Sequence, residues 1–289
     1  MLQLSNDKLA ITVAEKGAEL QSLTRTDLQQ EYLWSGDAAF WGKKSPVLFP
    51  IVGGLLDNKY QYNGQSYTLG RHGFARDMVF EVAEQAAASA TLRLTNNDDT
   101  LKVYPFPFSF EVAYALQDNR LTVTYRVRNT GTADLLFSVG GHPAFKLPLE
   151  PGVAYEDYYL LFNREETTGK WPLSAGGQIE RTPEPLLDHT QKLPLAKPMF
   201  YKDALVLKHL ASTAITLKSD TAARGLEFHF DGFPYLGIWA AKDADFVCIE
   251  PWCGIADHVD ASGQLQEKEG IITLTPGQTF ERAWSVVLF

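Results

Sequence analysis

The feature that most restricts this chain is a strict two-residue period. In "FSFEVAYAL" (108–116), Phe108, Phe110, Val112, Tyr114 and Leu116 share one face, because successive side chains of an extended strand leave on opposite sides. The turn "QDNR" follows, and "LTVTYRVRN" resumes the pattern with Leu121, Val123, Tyr125 and Val127. Two such runs about a short polar turn read as a β-hairpin with one buried side.

The pattern recurs along the chain. "AITLKS" goes with "LEFHF", and "YLGIWAA" with "FVCIEPW" across the turn "KDAD" (242–245). "LAITVAEKGAELQSLTR" reads as two strands, and "YTLGRHGFA" and "TLRLTNNDDT" follow as extended segments. Helical periodicity is confined to two short pieces, Ala38–Lys44 and Asp203–Leu210. The stretch Glu150–Pro198, rich in proline, glycine and charge, reads as connecting loops, with an excursion over the mouth of the fold as the other reading. Many short strands without alternating helices predict an all-β fold, a large antiparallel β-sandwich with few short helices. We expect a single domain over residues 1–289.

Composition narrows the function classes. The formal net charge is -9 and no basic run exists, which argues against a nucleic-acid or anionic-membrane partner. No secretory signal is visible at "MLQLSNDKLAITV", and no apolar run reaches membrane-spanning length. The two cysteines, Cys248 and Cys253, read as free thiols in a reducing compartment. The expectation is a cytoplasmic protein; nothing in the sequence sets its oligomeric state.

Three places stand out chemically. In "FSVGGHPAF" (137–145), His142 follows two glycines and precedes a proline in otherwise apolar surroundings. Gly140 and Gly141 permit close approach of a neighbour, and Pro143 interrupts strand pairing. In "FVCIEPW", Glu250 lies on the face of Phe246 and Cys248, a carboxylate at the end of a buried strand that must be paired, protonated or facing a polar cleft. "GRHGFARD" (70–77) gathers Arg71, His72 and Arg76 beside an aromatic. A buried histidine, a salt-bridged glutamate and a solvated turn are the bland readings of the three.

Other chemistries lack their signatures. The spacing of Cys248, Cys253 and His258 is unlike a structural zinc site, and no phosphate loop, dinucleotide fingerprint or nucleophile elbow is present. A histidine, a carboxylate and a cation cluster suit cofactor-free, metal-free general acid–base work on a small polar substrate.

Together, "RHGFAR", "GGHPAF", "DALVL" and "CIEPWCG", in this order, resemble the aldose 1-epimerase (mutarotase) superfamily, and more narrowly its LacX-like, galactose mutarotase-related branch. The resemblance runs from "SPVLFPIVGG" to "TLTPGQTF" and implies a single-domain β-supersandwich with an open sugar cleft. It also implies interconversion of aldose anomers by opening and reclosing the ring at C1, without a cofactor. By resemblance, His142 matches the general acid and Glu250 the general base. His72 matches a second histidine near the ring oxygen, and Asp203 in "KDALVL" a hydroxyl-binding aspartate. Trp239 is placed either against a sugar face or in the core.

On this view the glycines before His142 let the sugar approach the acid. The family's Gly-Arg and Asn-Arg stretch is replaced here by "VGGLLDNKY", which leaves Arg76 as the substitute anchor. Arg71 with Arg76 also keeps open a hexose-6-phosphate 1-epimerase. A non-catalytic carbohydrate-binding protein and a glycosidase complete the alternatives, the last needing a second opposed carboxylate. The leading expectation is an aldose 1-epimerase acting on a free hexose such as galactose or glucose. Its rate is expected to follow a bell in pH, rising as Glu250 ionises and falling as His142 loses its proton, narrowed by burial and widened by their attraction.

Overall fold

In the computed structural model, which describes residues 1–289, Phe108–Gln117 and Arg120–Asn129 pair antiparallel, with Phe110 opposite Val127 and Val112 opposite Tyr125. Their apolar positions are buried and the intervening ones partly exposed, as the two-residue period requires. Around this hairpin grows a nine-stranded antiparallel sheet. Its order is Glu184–Pro194, Tyr158–Lys170, Ala214–Ser219, Leu226–His229, Thr279–Leu288, Arg120–Asn129, Phe108–Gln117, Ser89–Thr95 and Glu81–Gln85.

A second, six-stranded sheet covers it. Leu205–Lys208, Tyr235–Trp239, Phe246–Cys253, Val139–Gly141 and Val47–Leu48 run side by side, and Ala144–Lys146 also pairs with Phe246–Cys253. Phe49 stacks on Phe110 with centroids 4.5 Å apart, and Phe145 meets Phe228 edge-on at 5.9 Å, so aromatic rings join the two sheets. The molecule is the antiparallel β-sandwich that the alternation implied. A four-stranded sheet from Leu2–Ser5 to Gln30–Glu31 completes the main layers.

Phe246–Cys253 is buried along its whole length. Phe246, Val247, Cys248, Ile249 and Cys253 belong to the main core. Trp252 joins a small separate cluster with Leu48, Val52, Ile179, Val206, Tyr235, Ile255 and Ala256. That cluster floors the cleft described below.

Four local expectations are corrected. Ala38–Lys44 forms turns rather than a helix. Asp203–Leu210 contains the strand Leu205–Lys208, paired with Tyr235–Trp239; a sheet edge overrides a weak helical spacing. "YTLGRHGFA" is extended only to Thr68, after which His72 and Gly73 take left-handed angles, φ +68° and +70°, and turn the chain. Glu150–Pro198 carries two long paired strands, Tyr158–Lys170 and Glu184–Pro194. Their pairing shifts register at several points, and such bulges erase the two-residue period.

One short α-helix, Asp98–Val103, begins in the last three residues of "TLRLTNNDDT" (91–100) and runs past it, where the sequence suggested an extended segment. Asn97 caps it, its side chain accepting from the Asp99 and Thr100 amides while Thr100 Oγ1 accepts from Asn97 N. No helix is long and apolar enough to cross a membrane.

Candidate active site

His142 occupies the break between Val139–Gly141 and Ala144–Lys146, where Pro143 offers no amide to the ladder. Both short strands pair with Phe246–Cys253, Gly140 opposite Trp252 and Ala144 opposite Cys248. That register puts His142 directly across from Glu250, on the same face of the sheet. His142 Nε2 lies 3.2 Å from Glu250 Oε2. The pair lines a cleft of about 290 Å³ together with Arg71, His72, Arg76, Asp203 and Trp239. Every residue singled out from the sequence reaches this one cavity.

His72 is held at both ends of its residue. Its amide donates to Gly53 O at 2.8 Å, and Gly53 N donates to its ring Nδ1 at 3.1 Å. A backbone amide only donates, so Nδ1 carries no proton, and the neutral ring keeps its hydrogen on Nε2. Next to it, Gly73 is obligatory, since a Cβ there would collide with the carbonyl oxygen of Phe49.

The cations are engaged within the protein. Arg71 Nη2 lies 3.2 Å from Asp203 Oδ2, while Asp203 Oδ1 accepts from the Ala204 amide at 2.8 Å. Arg76 Nη2 donates to Arg71 O at 2.8 Å, and its Nε lies 3.8 Å from Asp77. Trp41 stacks on the His142 ring at 4.9 Å, and Trp239 meets that ring edge-on at 5.5 Å.

Burial dominates the titration of the pair. It pushes the Glu250 carboxyl well above the usual carboxylate range, with Asp203 adding to the effect and Arg71 opposing it. It pulls the His142 imidazole well below its usual value, and Arg76 and Arg71 add to the effect. Burial likewise pulls His72 down, ahead of its cationic neighbours. Burial thus disfavours the charged form of each group, imidazolium and carboxylate alike, where the two lie in contact. Such a pair can take a proton from one oxygen and give one to another.

His142, Cys248 and Glu250 bring potential ligand atoms within 4.8 Å of one another. Burial raises the Cys248 thiol and the Glu250 carboxyl above their ordinary values, which works against the anionic forms a divalent cation needs.

The glycines before His142 have a different reason from the one the sequence suggested. A Cβ on Gly140 would stand 2.8 Å from Trp252 Cδ1, and one on Gly141 would stand 2.6 Å from the Tyr125 hydroxyl. They admit protein rings, not ligand. Trp41, Leu173, Ile179, Val206, Trp252 and Ala256 also line the cleft and were missed. Alternation places Trp252 on the Glu250 face and would have found it. Trp41 arrives from a turn and carries no local signal. Leu173 and Ile179 come from the stretch read as loops, so part of that stretch lines the cleft.

Comparison with known proteins places these residues in context. A family model described as aldose 1-epimerase matches residues 1–284. The chromosomal Protein LacX of Lactococcus lactis subsp. lactis is 30% identical over 298 residues, covering 99% of each chain. A solved structure of a galactose mutarotase related enzyme from Lactobacillus acidophilus superposes with a TM-score of 0.95 at 35% identity, over 100% of this chain and 97% of that one. A galactose mutarotase-like protein from Lactobacillus casei gives 0.92 at 30% identity, over all of both chains.

Proposed function

The chain belongs to the aldose 1-epimerase family, and from that premise we propose that it interconverts the α and β anomers of a free hexose such as galactose or glucose. Glu250 takes the proton of the C1 hydroxyl while His142 gives one to the ring oxygen. The C1–O5 bond breaks, the open aldehyde turns about C1–C2, and reclosure on the other face runs the two transfers in reverse. The ring atoms change no oxidation state, so no cofactor enters. Each proton transfer is worth roughly 10²–10⁴-fold. The protein acts as one domain over residues 1–289.

The observation that carries this reading is the cross-strand contact of His142 with Glu250 inside a cleft sized for a single small ligand. The two groups do not hydrogen-bond each other, since Glu250 Oε2 has no partner, and their 3.2 Å approach lets both reach one small ligand. His72 offers an Nε2–H donor to the ring-oxygen side. Asp203 and Arg76 serve the remaining hydroxyls, and the tryptophans offer apolar faces to the sugar's C–H side.

Charge supports a free sugar. Arg71 is paired with Asp203, Arg76 is tied to a carbonyl and lies beside Asp77, and the whole chain carries -9. An anionic phosphate would have to displace Asp203 or the carbonyl from these guanidinium groups, whereas neutral hydroxyls can share Arg76 and Asp203 with the bonds they already make.

Polarimetry of freshly dissolved anomers, across free and phosphorylated sugars, tests the proposal. Catalysed mutarotation of free hexoses is the expected result. Far faster turnover of hexose 6-phosphates would replace it with a phosphosugar epimerase, and binding without turnover would leave a carbohydrate-binding protein.

A further inference from the structure

Behind the cleft floor lies an ion pair that the reaction does not use. Lys268 Nζ lies 3.0 Å from Asp257 Oδ1 with both side chains nearly sealed from solvent, and it also donates to Ile255 O at 2.6 Å. Burying two charges is costly, so the bonds that this pair organises bear on why it is there.

Asp257 bonds to two segments that reach the cleft, one through Gly53 and one through Ile179. Its Oδ2 accepts from Leu56 N at 2.9 Å, and its own amide donates to Gly54 O at 2.9 Å. Its carbonyl accepts from Ile179 N at 2.8 Å. Its neighbour Ala256 lies flush against Gly53, where any Cβ would stand 2.6 Å from the Ala256 Cα. Gly53 is the residue that exchanges two hydrogen bonds with His72, one of which selects the ring tautomer. A continuous line of bonds thus runs from Lys268 through Asp257 and residues 53–56 to the His72 ring.

We propose that Asp257, held by Lys268, is a positioning residue that fixes the place and tautomer of His72 through the 53–56 segment. The acceptor on residue 257 is the working part. The ammonium serves to keep that acceptor in place. The inference about rate rests on the role proposed above for His72; the inference about tautomer does not.

Two double variants separate the acceptor from the charge. Asp257→Asn with Lys268→Met removes both charges but keeps an oxygen for the Leu56 amide. Asp257→Leu with Lys268→Met removes the oxygen as well. In histidine-labelled protein, NMR of the ring nitrogens should show His72 as a single Nε2–H tautomer in the first variant and as a mixture in the second. Mutarotation kcat should stay near wild type in the first and fall by about tenfold or more in the second, as expected for a misplaced binding group.

A folded second variant with one His72 tautomer and unchanged kcat overturns the proposal. If that variant does not fold, Lys268→Met alone decides, with exchange of the Gly53 amide as the readout. Exchange at least about tenfold faster than wild type, beyond any change in global stability, supports the clamp, and unchanged exchange overturns it. The tautomer and exchange measurements need no sugar, so a failure of the proposed activity leaves them readable.

Discussion

His142 and Glu250 stand directly opposite each other across an antiparallel ladder, midway between the pairs Gly140–Trp252 and Ala144–Cys248, with 3.2 Å between Nε2 and Oε2. Residues over a hundred positions apart in the chain thus become polar neighbours in the cleft. Glu250 sits on a strand and His142 in a two-residue break flanked by strands paired to it, so backbone pairing on both sides fixes the geometry. That suits a reaction in which both proton transfers must meet one small ring.

His142→Asn keeps a donor of similar shape but cannot deliver a proton, and Glu250→Gln removes the base at nearly constant volume. Each should lose at least about two orders of magnitude in kcat. The double variant should lose little more, because neither group works alone. Polarimetry checks the rates and circular dichroism the persistence of the fold. Near-normal rates in folded His142→Asn would remove the acid.

The pH profile should be broad and flat. Burial disfavours both the doubly protonated pair, which is positive, and the deprotonated pair, which is negative. Protonation of His142 below its lowered value ends activity in acid, and ionisation of Glu250 above its raised value ends it in alkali. The two limbs therefore exchange the owners that the sequence suggested, and burial widens the window instead of narrowing it. Limbs of kcat/KM at ordinary values, about 4.3 and about 6.5, would show the pair to be wetter than its burial implies.

Gly140→Ala and Gly141→Ala test the role of the glycines. Each new methyl meets a ring or hydroxyl of the protein, so each should destabilise by about 1–3 kcal/mol, read as a lower Tm. Gly141 faces Tyr125 and Trp284 and should leave KM unchanged, whereas Gly140 presses on Trp252 and should disturb binding too. Unaltered Tm with raised KM in both would return the glycines to the sugar.

Exhaustive chelation and dialysis should leave mutarotation unchanged, since the proton transfers use only protein groups. Recovery of activity only on adding a divalent ion would overturn the acid–base scheme.

The two-residue period by itself determined the sandwich, because a sheet with one face in the core forces apolar side chains onto alternate positions and the sequence displays that directly. It also marked His142, Glu250 and the 71–76 cluster, since a polar group inside an apolar strand is conspicuous without any coordinates. It lost the Tyr158–Lys170 and Glu184–Pro194 strands, whose bulges and exposed faces remove the alternation, and the helix Asp98–Val103, which is too short for its own period to show. Only the tertiary structure decided that residues 142 and 250 face each other. Register is set by long-range pairing, and a slip of one residue would have turned Glu250 into the opposite face. It alone also brought Trp41 onto His142 and Asp257 behind His72, because contacts between distant segments follow from the closing of sheets and leave no trace in local spacing.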